Sequence, residues 1–277
     1  MVQNINARVI EDFGLEWKKF DQSRLPKADQ RKIFDAYFSI FPWSRVSQNS
    51  VGFDLGCGSG RWAETVSLRT GGVLHCIDAS PIAIEIAKKN LSERRNCQFH
   101  VATINEIPLD NESADFGYSI GVLHHLSDTA RGIRCCVQKL KRGAPLLLYL
   151  YYAFENKPVW YRWVWKLSEL GRFFISRMPF LMKYFFSQLI ALFVYFPLAR
   201  LSYGLERLGA NVDSIPLAYY RNKSFYVIRT DALDRFGTKI ERRFTKDQIL
   251  RMMKESGLEN ISFGNLPPYW TVLGYKV

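Results

Sequence analysis

The sequence predicts an α/β protein built on a doubly wound, mostly parallel sheet, and three observations lead to that class. From Val51 to Tyr151, short apolar runs alternate with helical patterns, as a parallel sheet covered on both faces requires. A glycine triplet, Gly56, Gly58 and Gly60, follows the first of those runs and leads into a helix. Near the C-terminus, two strand patterns lie close enough in sequence to pair as an antiparallel hairpin. The 277 residues are 48% hydrophobic and 23% charged, which excludes a disordered chain, a collagen-like repeat and a small disulfide scaffold. Less ordinary are an aromatic content of 15% and a net charge of +12, which point to nucleic acid or an anionic membrane face as candidate surfaces.

Residues 1–50 read as a helical cap. Phe34, Tyr37, Phe38 and Phe41 recur at helical spacing until Pro42 ends the run. In the core, residues 51–151, strands are expected at Val51–Leu55, Val73–Ile77, Cys97–Val101, Asp115–Ile120 and Pro145–Tyr151. Helices are expected to start near Gly60, Pro81 and Ser127, the second capped by Ser80 with Pro81 at its first position. Residues 152–243 break the alternation and read as an aromatic, basic and irregular insertion. Residues 244–277 then complete the core. Thr245 and Gln248 form a capping box, Gly257 stops the helix, and strands follow near Leu258–Phe263 and Tyr269–Tyr275.

The glycine loop carries the chemistry. In Val51-Gly-Phe-Asp-Leu-Gly-Cys-Gly-Ser-Gly60, the glycines let the backbone turn tightly and approach a ligand, and the following helix offers free N–H groups to an anion. Asp78 ends the second strand, where a carboxylate accepts both hydroxyls of a ribose. A triplet placed between strand and helix, with an acid after the next strand, is far more specific than glycines alone.

These residues resemble those of the class I S-adenosylmethionine-dependent methyltransferases. The resemblance rests on Asp54-Leu-Gly-Cys-Gly-Ser-Gly60, Cys76-Ile-Asp-Ala-Ser80 and Asp115-Phe-Gly-Tyr-Ser-Ile-Gly-Val-Leu-His-His125, and covers residues 51–151 and, more loosely, the C-terminal helix and hairpin. It implies a Rossmann-like, seven-stranded sheet with an antiparallel last strand. It also implies S-adenosylmethionine as cofactor and S-adenosylhomocysteine as product. The implied cofactor contacts are Asp54, Gly56, Cys57, Gly58, Gly60, Asp78, Ala79, Thr103, Ile104 and Ser119. One departure stands at Ala102-Thr103-Ile104, where many family members carry an acid for the adenine amine; the Thr103 hydroxyl and the Ile104 N–H are the substitutes. A nicotinamide cofactor, which uses a similar loop, is the main competitor.

Of the four histidines, His75 and His100 lie on expected strands and read as packed core residues. His124 and His125 follow the fourth strand, at the ligand end of an open α/β sheet, where an imidazole is a candidate general base. Tyr220 and Asp231 are the reserve candidates. The adjacent pair is poorly arranged to share a metal, so no metal site is expected. Methyl transfer needs alignment and, for a hydroxyl, removal of a proton, so these residues do not define the acceptor.

The insertion holds the stretch from Tyr184 to Ala199, which is without charge and bounded by Lys183 and Arg200. On a helix, Phe186, Leu189, Ile190 and Phe193 share a face that is expected to be buried. The insertion therefore reads as a substrate lid or an interface. The expected reaction is O-methylation of a small-molecule or lipid- or glycan-linked acceptor, with nucleic acid set aside because the basic residues are interleaved with apolar runs. An RNA methyltransferase and a non-catalytic cofactor-binding partner subunit stand as alternatives. A homodimer through the insertion and a peripheral membrane contact are further options. Five cysteines without a Cys-x-x-Cys pair suit a reducing cytoplasm, and Met1–Asn6 shows no secretory pattern.

Overall fold

The computed structural model describes residues 7–155, 157–265 and 267–277. The N-terminal stretch Met1–Asn6, on which the absence of a secretory pattern was read, lies outside the described residues. In chain order the helices are α1 (Ala7–Lys19), α2 (Lys27–Tyr37), α3 (Ala63–Val66), α4 (Pro81–Asn90), α5 (Thr129–Lys139), α6 (Val159–Ile175), α7 (Phe180–Ile190), α8 (Phe196–Arg207), α9 (Phe225–Gly237) and α10 (Lys246–Glu255). The strands are β1 (Gly52–Leu55), β2 (Leu74–Asp78), β3 (Cys97–Val101), β4 (Phe116–Ile120), β5 (Pro145–Tyr149), β6 (Leu258–Phe263) and β7 (Thr271–Lys276). The chain divides into two compact units, one of residues 7–23, 30–153 and 242–277, the other of residues 24–29 and 154–241.

In the first unit the strand order is β3-β2-β1-β4-β5-β7-β6. Strands β1 to β5 pair in parallel, whereas β7 runs antiparallel to both β5 and β6. This is the doubly wound, mostly parallel sheet with an antiparallel last strand that the sequence predicts. Strands β1 and β4 are buried at every position, as central strands covered on both faces must be. The order reverses between β1 and β4, and the carboxyl ends of these two strands define the ligand crevice.

Local signals place the helices. Ser80 Oγ accepts from the Ala83 N–H at 3.4 Å, with Pro81 at the first helical position. Thr245 and Gln248 form the reciprocal capping box, at 3.2 and 2.9 Å. Helix α5 starts at Thr129 rather than near Ser127, because Asp128 is the cap and accepts from the Arg131 N–H. The helix expected near Gly60 is only the four-residue α3. The fourth strand starts at Phe116, and the Asp115 carboxylate before it accepts from the Val51 N–H at 2.8 Å and pairs with Lys141 at 2.7 Å.

The second unit is not irregular. Its length is taken by α6, α7, α8 and α9, and residues 191–195 join α7 to α8 as a turn of π-helix. Both α6 and α7 pack on α9. An ion-pair network fastens α6 to α9: Arg235 meets Glu169 at 2.9 Å and Glu241 at 2.7 Å, while Arg172 meets Glu169 at 2.7 Å. The face of α7 expected to be buried is not the one that packs. Lys183, Ser187, Ala191 and Tyr195 are buried, whereas Phe193 is 70% exposed and Phe186, Leu189 and Ile190 are only half-buried. The run is apolar nearly all round, so its periodicity could not select the packing arc; small and hydrogen-bonding residues fit closely against α9 and take that side.

Candidate active site

The turn from β1 towards α3 is a backbone cradle. Gly56, Gly58 and Gly60 have φ of 74°, 54° and 78°, in the left-handed region that favours glycine. At Gly58 there is a second reason: a Cβ there would stand 2.6 Å from the indole of Trp17, which α1 lays over the loop. The Gly58 N–H donates to Asp78 Oδ2 at 3.0 Å and the Ser80 N–H to Asp78 Oδ1 at 2.8 Å. The acid after β2 therefore ties the glycine loop to the cap of α4, while its carboxylate retains free lone pairs for two hydroxyls. Desolvation raises the Asp78 pKa, and the Ser80 and Gly58 N–H groups offset part of that rise.

Deeper in the cradle, Asp54 is fully buried, with Tyr118 directly across from it on β4. Burial pushes the Asp54 carboxyl well above its ordinary range, the Tyr118 hydroxyl opposing part of the shift. Cys57 is buried beside Cys76. That neighbouring thiol lowers its pKa, but burial and the nearby Asp78 and Asp54 carboxylates outweigh it and leave the thiol at about 11. Cys57 thus packs rather than reacts. Ser59 Oγ is buried with no hydrogen-bond partner among the described residues. A turn that only glycine can make, a pinned ribose-height carboxylate and an orphaned hydroxyl fit a nucleoside carrying an amino-acid tail.

After β3, Thr103 turns the chain, its carbonyl accepting from the Glu106 N–H at 3.0 Å, and Ile104 sends its side chain into the core. Ala79 lies between the carboxylate of Asp78 and the cap Ser80. Ser119, an expected cofactor contact, has its donor engaged within the sheet. Its hydroxyl is buried and donates to the Leu55 carbonyl at 2.9 Å, so its proton fastens β4 to β1.

His124 and His125 occupy one 3-10 turn at the carboxyl end of β4. Their rings lie 4.2 Å apart. His124 is fully buried and stacks on Tyr151 at 3.8 Å, while the edge of Phe13 meets His125 at 4.9 Å. The Arg242 N–H donates to the His124 carbonyl at 3.0 Å, and the Arg243 guanidinium lies 5.0 Å over Tyr151. Burial, then the charges of His125 and Arg243, hold His124 well below the ordinary 6.5, so it is neutral. Sequence reasoning missed Phe13, Trp17, Tyr151 and Arg243. The first two are four residues apart on an amphipathic helix, a signal that was present; the others come together only through the sheet.

The remaining candidates are placed elsewhere. Tyr220 and Asp231 belong to the second unit, where they face each other. Burial and then the Asp231 charge hold the Tyr220 phenol well above its usual value, which suits a hydrogen-bond donor and not a base. His75 and His100 are half-buried rather than core, and bond each other, Nδ1 to Nε2, at 3.0 Å.

Sheet order, glycine cradle and ribose acid agree with a class I, Rossmann-like methyltransferase domain whose cofactor is S-adenosylmethionine, and the family match favours that cofactor over a nicotinamide. Residues 53–148 match the methyltransferase-domain family. The chain is 30% identical over 155 residues to human "Probable tRNA methyltransferase 9B", covering 50% of this chain and 32% of the relative. It is 33% identical over 122 residues to the yeast tRNA (carboxymethyluridine(34)-5-O)-methyltransferase from Saccharomyces cerevisiae, covering 40% of this chain and 41% of that one. The chain thus spans between about a third and two fifths of these relatives' lengths. Among solved structures, the methyltransferase in complex with the Trm112 activator from Haloferax volcanii superposes with a TM-score of 0.54 at 13% identity, over 95% of this chain and 96% of that one, and so shares the fold. These relatives overturn the expected partner. A small-molecule or lipid- or glycan-linked acceptor with nucleic acid set aside was read from basic residues scattered among apolar runs, whereas these two relatives are named for tRNA.

Proposed function

We propose that this chain is a methyltransferase that modifies RNA, delivering the methyl group to an oxygen of a tRNA nucleoside. The observation that carries the reading is the likeness of its cofactor domain to tRNA methyltransferases, one of them a 5-O-methyltransferase. The net charge of +12 suits a phosphate backbone. Four of the five free cysteines are buried, which suits a reducing cytoplasm.

When bound, S-adenosylmethionine supplies a methyl group already activated on a sulfonium. Asp78 would take the ribose hydroxyls, the loop from Gly56 to Gly60 would cradle the amino-acid tail, and Thr103 and Ile104 would meet the adenine. His125, the less buried of the pair, would accept the acceptor's proton while His124, neutral and stacked on Tyr151, fixes the turn that carries it. Incubation of the purified chain with radiolabelled donor and total tRNA tests the proposal. Label should enter material destroyed by ribonuclease, and mass analysis should find a methylated nucleoside. A chain that binds S-adenosylhomocysteine yet labels lipid or small molecules and no RNA refutes it.

A further inference from the structure

Two helices of the second unit are built inside out. Helix α6 has no buried residue, and Trp160, Trp163, Val164, Leu167, Leu170 and Phe174 form one exposed apolar stripe, with Trp163 66% and Leu167 72% exposed. Residues 180–207 repeat the pattern: Leu181 is 74% exposed, Phe185 57% and Phe193 70%. Their packed side is the polar one. Lys183, Ser187, Ala191, Tyr195, Ala199 and Ser202 are buried, and Arg229 of α9 bonds Gln188 at 2.5 Å and the Tyr184 hydroxyl at 2.8 Å. A helix in water turns its apolar face to the core. Helices against hydrocarbon instead pack through small and hydrogen-bonding residues and send large apolar ones outward.

The charges select the kind of surface. Between residues 159 and 208, every exposed charged residue is basic: Arg162, Lys166, Arg177, Arg200 and Arg207. The two acids there are engaged, Glu169 with Arg172 and Arg235, and Glu206 with Arg221 at 2.7 Å. Apolar and aromatic faces bordered by Lys and Arg match a bilayer whose headgroups are anionic. The 28-residue helix 180–207 is long and apolar enough to cross a bilayer by length and composition. However, α6 carries charge along its length and both helices rest on α9, which presents Arg229, Asp231 and Arg235.

We infer that the second unit docks on an anionic phospholipid bilayer, with α6 and the 180–207 helix lying in the interface and their outer faces among the acyl chains. This contact is independent of the acceptor that the first unit methylates. Flotation of the full chain with phosphatidylcholine vesicles, with and without phosphatidylglycerol, tests it. Partitioning should be at least about tenfold stronger with the anionic lipid and should weaken as salt rises. The triple variant Trp163→Ser, Leu167→Ser, Phe185→Ser should lose about 100-fold or more in partitioning, with an unchanged circular dichroism spectrum. In the unaltered chain, lipids brominated on the acyl chain should quench tryptophan fluorescence, and Trp163→Phe should remove part of that quenching. The inference is overturned by any of three results: a chain that stays out of both vesicle fractions, a triple variant that floats equally well, or a soluble dimer that the triple variant dissolves, which would make a second copy the occupant.

Discussion

Substituting Gly58 by Ala tests the cradle at its tightest point. The residue has φ of 54°, and the new Cβ would stand 2.6 Å from the Trp17 indole. Holding an L-residue in the left-handed region costs about 1–2 kcal/mol. Forcing a methyl group against a packed ring costs about 1–3 kcal/mol more. The folded protein should therefore lose about 2–5 kcal/mol of stability. The affected turn also donates the Gly58 N–H to Asp78, so cofactor affinity should fall with it, by about tenfold to a few hundredfold. Denaturant melts and calorimetric titration with S-adenosylhomocysteine measure the two losses. The steric part is separable from the backbone part, because Trp17→Ala empties the space the new methyl needs. In a double-mutant cycle, Gly58→Ala should cost about 1–3 kcal/mol less in the Trp17→Ala background. Equal costs in both backgrounds would refute the clash, and a Gly58→Ala protein with normal stability and affinity would refute the cradle.

Asp54 has its pKa raised in the folded chain, so relative to Asp54→Asn it contributes most below the ordinary carboxylate value of 3.8 and loses that contribution as pH rises toward the folded value; melts of the two proteins should diverge upward through that window, and parallel curves would contradict the shift. His125→Ala should lower methyl transfer by about 10²–10⁴ while leaving S-adenosylhomocysteine affinity within error in calorimetry. His124 is depressed below 6.5, so its contribution to stability is present above that pH and lost as pH falls through the window beneath it; melts compared with His124→Ala should show that loss, and a pH-independent difference would count against a buried neutral imidazole. Arg235→Met removes the guanidinium that pairs with Glu241, whose side chain is 1% exposed, and with Glu169, and should cost about 3–5 kcal/mol in a denaturant melt; a neutral outcome would show the network to be dispensable.

Signals that reside in consecutive residues were legible. The Ser80-Pro81 start of α4, the Thr245–Gln248 capping box and the positive-φ glycines of the cofactor turn depend on a few neighbouring dihedral angles and hydrogen bonds, which short segments encode by themselves. The alternation of apolar runs and helices likewise carried the parallel sheet, because a strand buried on both faces must be apolar throughout, and the short connection between the last two strands carried their antiparallel pairing. Cofactor class followed from the same segment.

What depended on residues distant in sequence was decided only by the tertiary structure. Trp17 over Gly58, Tyr151 stacked on His124 and the bond from the Ser119 hydroxyl to Leu55 are meetings of separate elements, and no spacing within one element announces them. The helix from Phe180 is the clearest case. Its composition showed how apolar it is, but an almost uniformly apolar helix has no periodic contrast to orient it. Its orientation was settled by which arc could approach α9 closely and satisfy Arg229, and that arc is the one holding Lys183, Ser187 and Ala191.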